Sequence, residues 1–321
     1  MHRAPGALTM AAMTSTTVPG RTAAPRSGLL DDPRKLGWVL LAPTLVYIFG
    51  LVGMPLVLSL VYSVTSVTVA RVDYTFVGLS HYIDALNRPA FWTALKNTFL
   101  YAIVAQVIVI IMANTLALGL MKNFRGKWFV RLLILFPFVA PISLGTLGWL
   151  WIFDSTYSVI NWTLQQMGFL GPMERLFWLG QPLLAKTAII TVNVWRTLPL
   201  ATVVLLAGLG SIPQDIHDAA EMDGARFWRH HFQITIPLIT PIMLVSVLFG
   251  LVFTFTDMVV IFVMTRGGPF ASTHVLASLA YYTGIEGGDL AEGAAISLFL
   301  FPLLVVIAFG MLYLARRSEI Q

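Results

Sequence analysis

Six stretches of this chain are long and apolar enough to cross a bilayer, and no other feature restricts its fold so strongly. They run at about 36–62, 97–121, 128–153, 183–210, 234–265 and 293–315. A spanning helix needs about 20 mostly apolar residues, and each stretch supplies them. The expected fold class is all-α, a polytopic membrane protein with six transmembrane helices. Composition points the same way: 11% of residues are charged, against about 25% in soluble domains, and mean hydropathy is +0.81.

The distribution of Lys and Arg sets the expected orientation. With the N-terminus inside, the inner segments hold 13 of them: five in the tail as far as Lys35, then Lys122, Arg125, Lys127, Arg131, Arg226, Arg229, Arg316 and Arg317. The outer segments hold six, Arg71, Arg88, Lys96, Arg175, Lys186 and Arg266, and Arg196 falls inside a stretch. The positive-inside rule then puts both termini in the cytoplasm. The net charge of +5 follows from this arrangement and implies no nucleic acid. Absence of cysteine excludes disulfides and thiolate chemistry. Residues 1–34 are rich in Pro, Gly, Ser, Thr and Ala and carry no apolar signal-peptide core. They are expected to be a disordered cytoplasmic tail ahead of a six-helix permease domain at 35–321.

Between the fourth and fifth stretches the chain reads SIPQDIHDAAEMDGARFWRHHFQITIP, residues 211–237. Ser211 followed by Gln214 fits a capping box, and Pro213 is tolerated in a first turn. Helical spacing groups Ile216, Ala219, Ala220 and Asp223, and Gly224 stands where a helix stops in a left-handed conformation. The pattern predicts a short capped helix with an alanine face, within a cytoplasmic loop at 211–233. From these signals alone, a solvated loop and a docking element are both open.

The spacing matches one family's pattern. Asp218-Ala219-Ala220, three residues, Gly224, nine residues, then Ile234-Thr235-Ile236-Pro237 resembles the EAA loop of ABC-importer permeases, with Asp218 for Glu and Ile236 for Leu. Asp223-Gly224-Ala225 is similar to the variant of the sugar-permease branch, of maltose and lactose type. NVWRTLP at 193–199, TRGGP at 265–269 and APTLVYIFGLVGMPLVLSLVYS at 42–63 also resemble that family, over most of 36–315. The resemblance implies a multi-pass subunit of a bacterial or archaeal inner membrane, forming half of a translocation path. It further implies a heterodimer with a second permease subunit, a dimer of ATP-binding subunits carrying ATP and Mg, and an extracellular solute-binding protein. Asp218, Ala219, Ala220, Glu221, Asp223, Gly224 and Ala225 would be the ATPase-coupling residues. The solute would be a sugar or related polyhydroxylated molecule, with a trehalose-like or maltose-like disaccharide foremost.

Two charges lie within the apolar stretches. Arg196 is roughly 20 Å from the outer end of the fourth, and Asp257 roughly 12 Å deep in the fifth, at 1.5 Å per residue. Such groups face a bundle interior or an aqueous cavity. Either they pair structurally, or with Asn193 and Trp195 they line the substrate path; both can hold. Pro199 is expected to kink the helix beside them, and Asp154 and Asn161, at the end of the third stretch, either contribute at the outer mouth or belong to a solvated loop. His217, Glu221, His230 and His231 lack convincing metal-ligand spacing, so no metal is expected. No G-x-x-x-x-G-K-[ST] occurs, so no cofactor is expected on this chain, which is not expected to be an enzyme. The competing function is a self-contained secondary carrier or channel, whose purified chain would transport without an ATPase.

Overall fold

The computed structural model describes residues 33–319; most of the tail at 1–34 lies outside them. The chain divides into two compact units, residues 1–55 and 56–321. The described part of the first is α1 (Pro33–Ile48), a π-helical turn at Phe49–Gly53, and the start of α2 (Met54–Ser63). The second unit adds α3 (Ser80–Asn87), α4 (Pro89–Met121), α5 (Lys127–Val139), α6 (Ile142–Ile152), α7 (Val159–Gln166) and α8 (Pro182–Gly210). It continues with α9 (Gln214–Met222), α10 (Phe227–His230), α11 (Ile236–Thr256) and α12 (Val259–Met264). It ends with α13 (Leu276–Tyr281), α14 (Leu290–Leu298) and α15 (Leu300–Glu319), and π-helical turns occupy His231–Thr235 and Tyr282–Glu286. Among the described residues the extended structure is limited to an isolated bridge between Thr65 and Phe76.

This helix inventory makes the chain an all-α polytopic membrane protein, as lipid demands, since a helix satisfies its backbone hydrogen bonds internally. Among the described residues, five helices are long and apolar enough to span: Arg34–Ser63, Pro89–Met121, Pro182–Gly210, Phe227–Thr256 and Leu290–Ser318. A sixth span is formed if α5 and α6, which meet at a 101° bend, count as one.

Two of the expected continuous spans are broken. The stretch at 128–153 turns at Ala140, whose ψ of 138° is extended. Ala140 precedes Pro141, and the proline ring disfavours helical geometry in the residue before it. The stretch expected at 234–265 instead starts at Phe227, because ARFWRHHF winds directly into the span, and α11 stops at Thr256. Asp257, with ψ 115°, separates it from α12. Asp257 is therefore at a helix end, although its apolar neighbours predict a continuous span through it.

The core is built on α4 and α8. Ala105, Val109, Ala113 and Ala117 recur every fourth residue of α4 and are fully buried. They meet Val194, Ala201, Leu205 and Leu209 of α8, and Ile239 of α11. Small residues let helix backbones approach closely where the hydrophobic effect supplies no drive between apolar surfaces in lipid. At Gly250 of α11 the packing leaves no room for a side chain, since a side-chain carbon there would overlap the Gln106 carboxamide.

At the far end of α4, Asn97 donates from Nδ2 to the carbonyls of Ser272 (2.7 Å) and His274 (2.9 Å). This holds the 265–275 loop that contains TRGGP. Gly267 has φ +84°, and any side chain there would collide with the His274 ring. Burial pushes the His274 imidazole below its ordinary pKa.

Candidate coupling and translocation sites

α9 carries the coupling candidates. Asp215 in its first turn complements the positive end of the helix dipole. Ser211 does not cap it: Pro213 occupies the N-cap without a side-chain bond, and Ser211 Oγ donates to the Gly208 carbonyl at the end of α8 (2.7 Å). Gln214 Nε2 reaches along the helix to Asp218 Oδ1 (3.0 Å). The expected capping box is thus absent, because Ser211 still belongs to the last turn of α8.

The other end has the expected geometry. Ala225 N–H donates to the Ala220 carbonyl (2.9 Å), and Gly224 adopts φ +72°, the arrangement of a Schellman stop. No atom lies within 4 Å of a side chain built at Gly224. Glycine is needed there for its backbone angle, and not for space.

The two alanines lie in different environments. Ala220 is 4% exposed and Ala219 lies on the surface, since neighbouring residues on a helix are about 100° apart. The surface of α9 consists of Asp215, Asp218, Ala219, Glu221 and Met222, which is 89% exposed. Asp223 and Gly224 are exposed too, and Ala225 is half-buried. The expected single alanine face is therefore corrected to an acidic outer face and a buried Ala220.

A chain of polar contacts ties α9 to the bundle. His217 Nδ1 and His230 Nε2 are 2.9 Å apart, and the rings tilt against each other at 4.9 Å. His230 Nδ1 lies 3.4 Å from Thr235 Oγ1, and His231 Nε2 lies 2.8 Å from Asn114 Nδ2 on α4. Sequence spacing did not reveal the His217–His230 pair, which closes across the turn at Gly224.

Within the membrane part, Arg196 Nη1 and Asp257 Oδ2 form a salt bridge of 2.7 Å. Asp257 Oδ1 also accepts from Val259 N–H (2.8 Å) and so caps α12. The Asp257 side chain is 2% exposed and the Arg196 side chain 28%. Arg196 remains partly open because it borders a cavity of about 340 Å³. Pro137 and Phe138 at the end of α5, Ile142 of α6, Trp195 and Phe253 complete much of its wall. The break between α5 and α6 is thus what opens space beside Arg196.

Trp195 stands edge-on to Trp149 at 5.9 Å, and Gly145 makes room for its indole, since an added side-chain carbon would sit 2.9 Å from the ring. Asn193 is buried behind this wall, donating to the Ile189 carbonyl (3.1 Å). Of the four residues expected on a substrate path, Trp195 and Arg196 line the cavity, Asp257 holds Arg196, and Asn193 lies away from it. Pro199 lies inside the unbroken α8. Asp154 Oδ1 accepts from the N–H groups of Thr156 and Tyr157 (both 2.8 Å). Asn161 is buried and pins the segment between α7 and α8 through Leu176 and Trp178.

Comparison with other proteins agrees with this layout. The family described as "Binding-protein-dependent transport system inner membrane component" matches residues 107–319. The trehalose/maltose transport system permease protein MalF of Thermococcus litoralis is 32% identical over 285 residues, 87% of this chain and 92% of that protein. The sulfoquinovosyl glycerol transport system permease protein SmoG of Agrobacterium fabrum is 30% identical over 301 residues, 89% of this chain and 96% of that one. In fold, the chain is similar to one from a crystal structure of a bacterial alginate ABC transporter bound to its alginate-loaded periplasmic protein. The TM-score is 0.77 at 20% identity, over 90% of this chain and 97% of that one. The chain belongs to the binding-protein-dependent transport system inner membrane component family, the permease subunits of ABC importers.

Proposed function

We propose that this permease moves a sugar or related polyhydroxylated solute, of the disaccharide class, and that α9 is the element through which ATP hydrolysis on a separate subunit drives it. The partners are a second permease subunit, a pair of ATP-binding subunits that hold ATP and Mg, and an extracellular binding protein. Both chain termini and α9 face the cytoplasm. The observation that carries the coupling role is the two-sided build of α9. Its outer face, with Asp215, Asp218, Ala219 and Met222, has no partner among the described residues beyond the bond from Gln214. Its inner side is tied through His217 to His230, in the helix that continues into a span. A partner that pushes on α9 thereby moves α11 and α4, and a ligand shifts a conformational equilibrium only by binding its two states unequally.

The sugar assignment draws on the names of the two relatives and on the cavity. Trp195 offers an aromatic face to the apolar face of a sugar ring, and Arg196 offers donors to hydroxyl oxygens. Trp195 and Arg196 are therefore the path residues, and Asp257 keeps the guanidinium oriented. The decisive experiment reconstitutes the full complex with Gly224→Val in this chain. Strain at φ +72° should disorder the end of α9, leaving ATP hydrolysis in place and lowering uptake at least about tenfold. Normal uptake by that variant removes the coupling role. Stimulation of ATPase by the binding protein loaded with different sugars then identifies the solute.

A further inference from the structure

A second site lies where α4 turns into α5. Lys122, Arg125, Lys127 and Arg131 fall within ten residues, and no Asp or Glu occurs between Asp84 and Asp154. Among the described residues no carboxylate forms an ion pair with any of the four. Phe124, Trp128 and Phe129 beside them are exposed, Trp128 by 72%, and aromatic side chains of this kind settle at the headgroup level of a bilayer. Lys127 and Arg131 are four residues apart on α5 and so share one face. That face continues into an apolar groove of about 330 Å³ between α5 and α8, walled by Ile134, Leu135, Val203, Leu206 and Ala207, with Arg131 at its edge.

We propose that this groove binds one anionic phospholipid, its acyl chain along Leu135 and Leu206 and its phosphate against Lys127 and Arg131. Apart from Thr202 and Arg131 the walls are hydrocarbon and lie on a membrane-spanning surface, which suits an acyl chain better than a polar solute. The cluster of cations without acids complements a negative headgroup, and juxtamembrane basic clusters attract anionic lipids on the same electrostatic ground. A helix of a partner subunit seated there would leave those cations uncompensated unless it carried acids. The site is separate from the Arg196 cavity and from α9, and does not depend on what solute is carried.

The test uses the full transporter complex, purified in neutral detergent and titrated with dioleoyl phosphatidylglycerol or dioleoyl phosphatidylcholine under native mass spectrometry. Phosphatidylglycerol should be retained once per copy of this chain, roughly tenfold or more tighter than phosphatidylcholine, as expected for two cations against one headgroup. K127Q/R131Q should lose that preference, and K127R/R131K should keep it, which separates charge from folding. Ala207→Trp, which fills the groove and leaves every charge, should also weaken retention. Glycerol phosphate, which has no acyl chain, should not compete. Equal retention of both lipids, or an undiminished preference in K127Q/R131Q, overturns the proposal. So does competition by glycerol phosphate with Ala207→Trp unchanged, because the site then reads only the phosphate.

Discussion

Two of the places where charge interrupts the apolar sequence are built in opposite ways. At Arg196 and Asp257 the charges complete each other: one carboxylate is 2% exposed, one guanidinium borders a cavity, and 2.7 Å separates them. At α9 the acids Asp215, Asp218, Glu221 and Asp223 stay on the surface, and Asp218 meets only Gln214. A buried charge must find its partner inside the fold, because removal from water costs several kcal/mol per ion. An exposed charge has no such obligation, so its arrangement is free to serve another molecule. The internal pair therefore shapes the wall of the cavity, and the open acidic face is the one available for docking.

That contrast predicts very different responses to substitution. Arg196→Met leaves Asp257 buried without its partner and should cost roughly 3–5 kcal/mol, seen as a large fall in the thermal stability and yield of the complex. Arg196→Met combined with Asp257→Leu should recover most of that stability, because an apolar replacement removes the stranded charge. Transport should stay lost if Arg196 also contacts solute. Uptake near wild type in the double variant would confine the pair to a structural role.

A smaller effect is expected at the link between the two regions. His217→Ala removes the bond to His230 and should cost about 1 kcal/mol of stability. Uptake per ATP hydrolysed should fall by more than that loss of stability explains, because the inner tether of α9 is gone. Equal coupling ratios in variant and wild type would mean that the helix is held by other contacts.

The smallest change is at Ser211. Since its hydroxyl bonds to Gly208 at the end of α8, Ser211→Ala should cost no more than about 1 kcal/mol, the usual cost of a lost terminal hydrogen bond. Coupling should be intact, because α9 begins three residues later without that side chain. A loss of coupling there would restore Ser211 as the cap of α9.

Local chemistry explains what could be read from residues alone. Length and apolarity marked the spans, because lipid admits few backbone solutions. Gly224 marked the end of α9, because few residues other than glycine adopt φ +72° readily. The spacing from Asp218 to Pro237 pointed to the family. Breaks within apolar runs were harder to see. Pro141 and Asp257 each stop a helix, yet hydropathy averages over them, and Pro199 and Pro241 sit inside helices that continue. Whether a proline ends or merely marks a helix depends on what its neighbours can satisfy. Likewise Ala219 and Ala220 could be assigned to a helix by sequence, but not to their different environments.

Residues close together in the chain were enough to read the class of the molecule, its apolar spanning stretches and the spacing of its candidate coupling segment. Contacts between distant segments place Arg196 against Asp257 across 61 positions, bring His217 to His230 and leave Asn193 off the cavity wall. Each of those outcomes depends on how α4, α8 and α11 approach one another. That approach is set by small residues such as Ala105, Ala113 and Gly250, whose importance appears only when another helix lies against them.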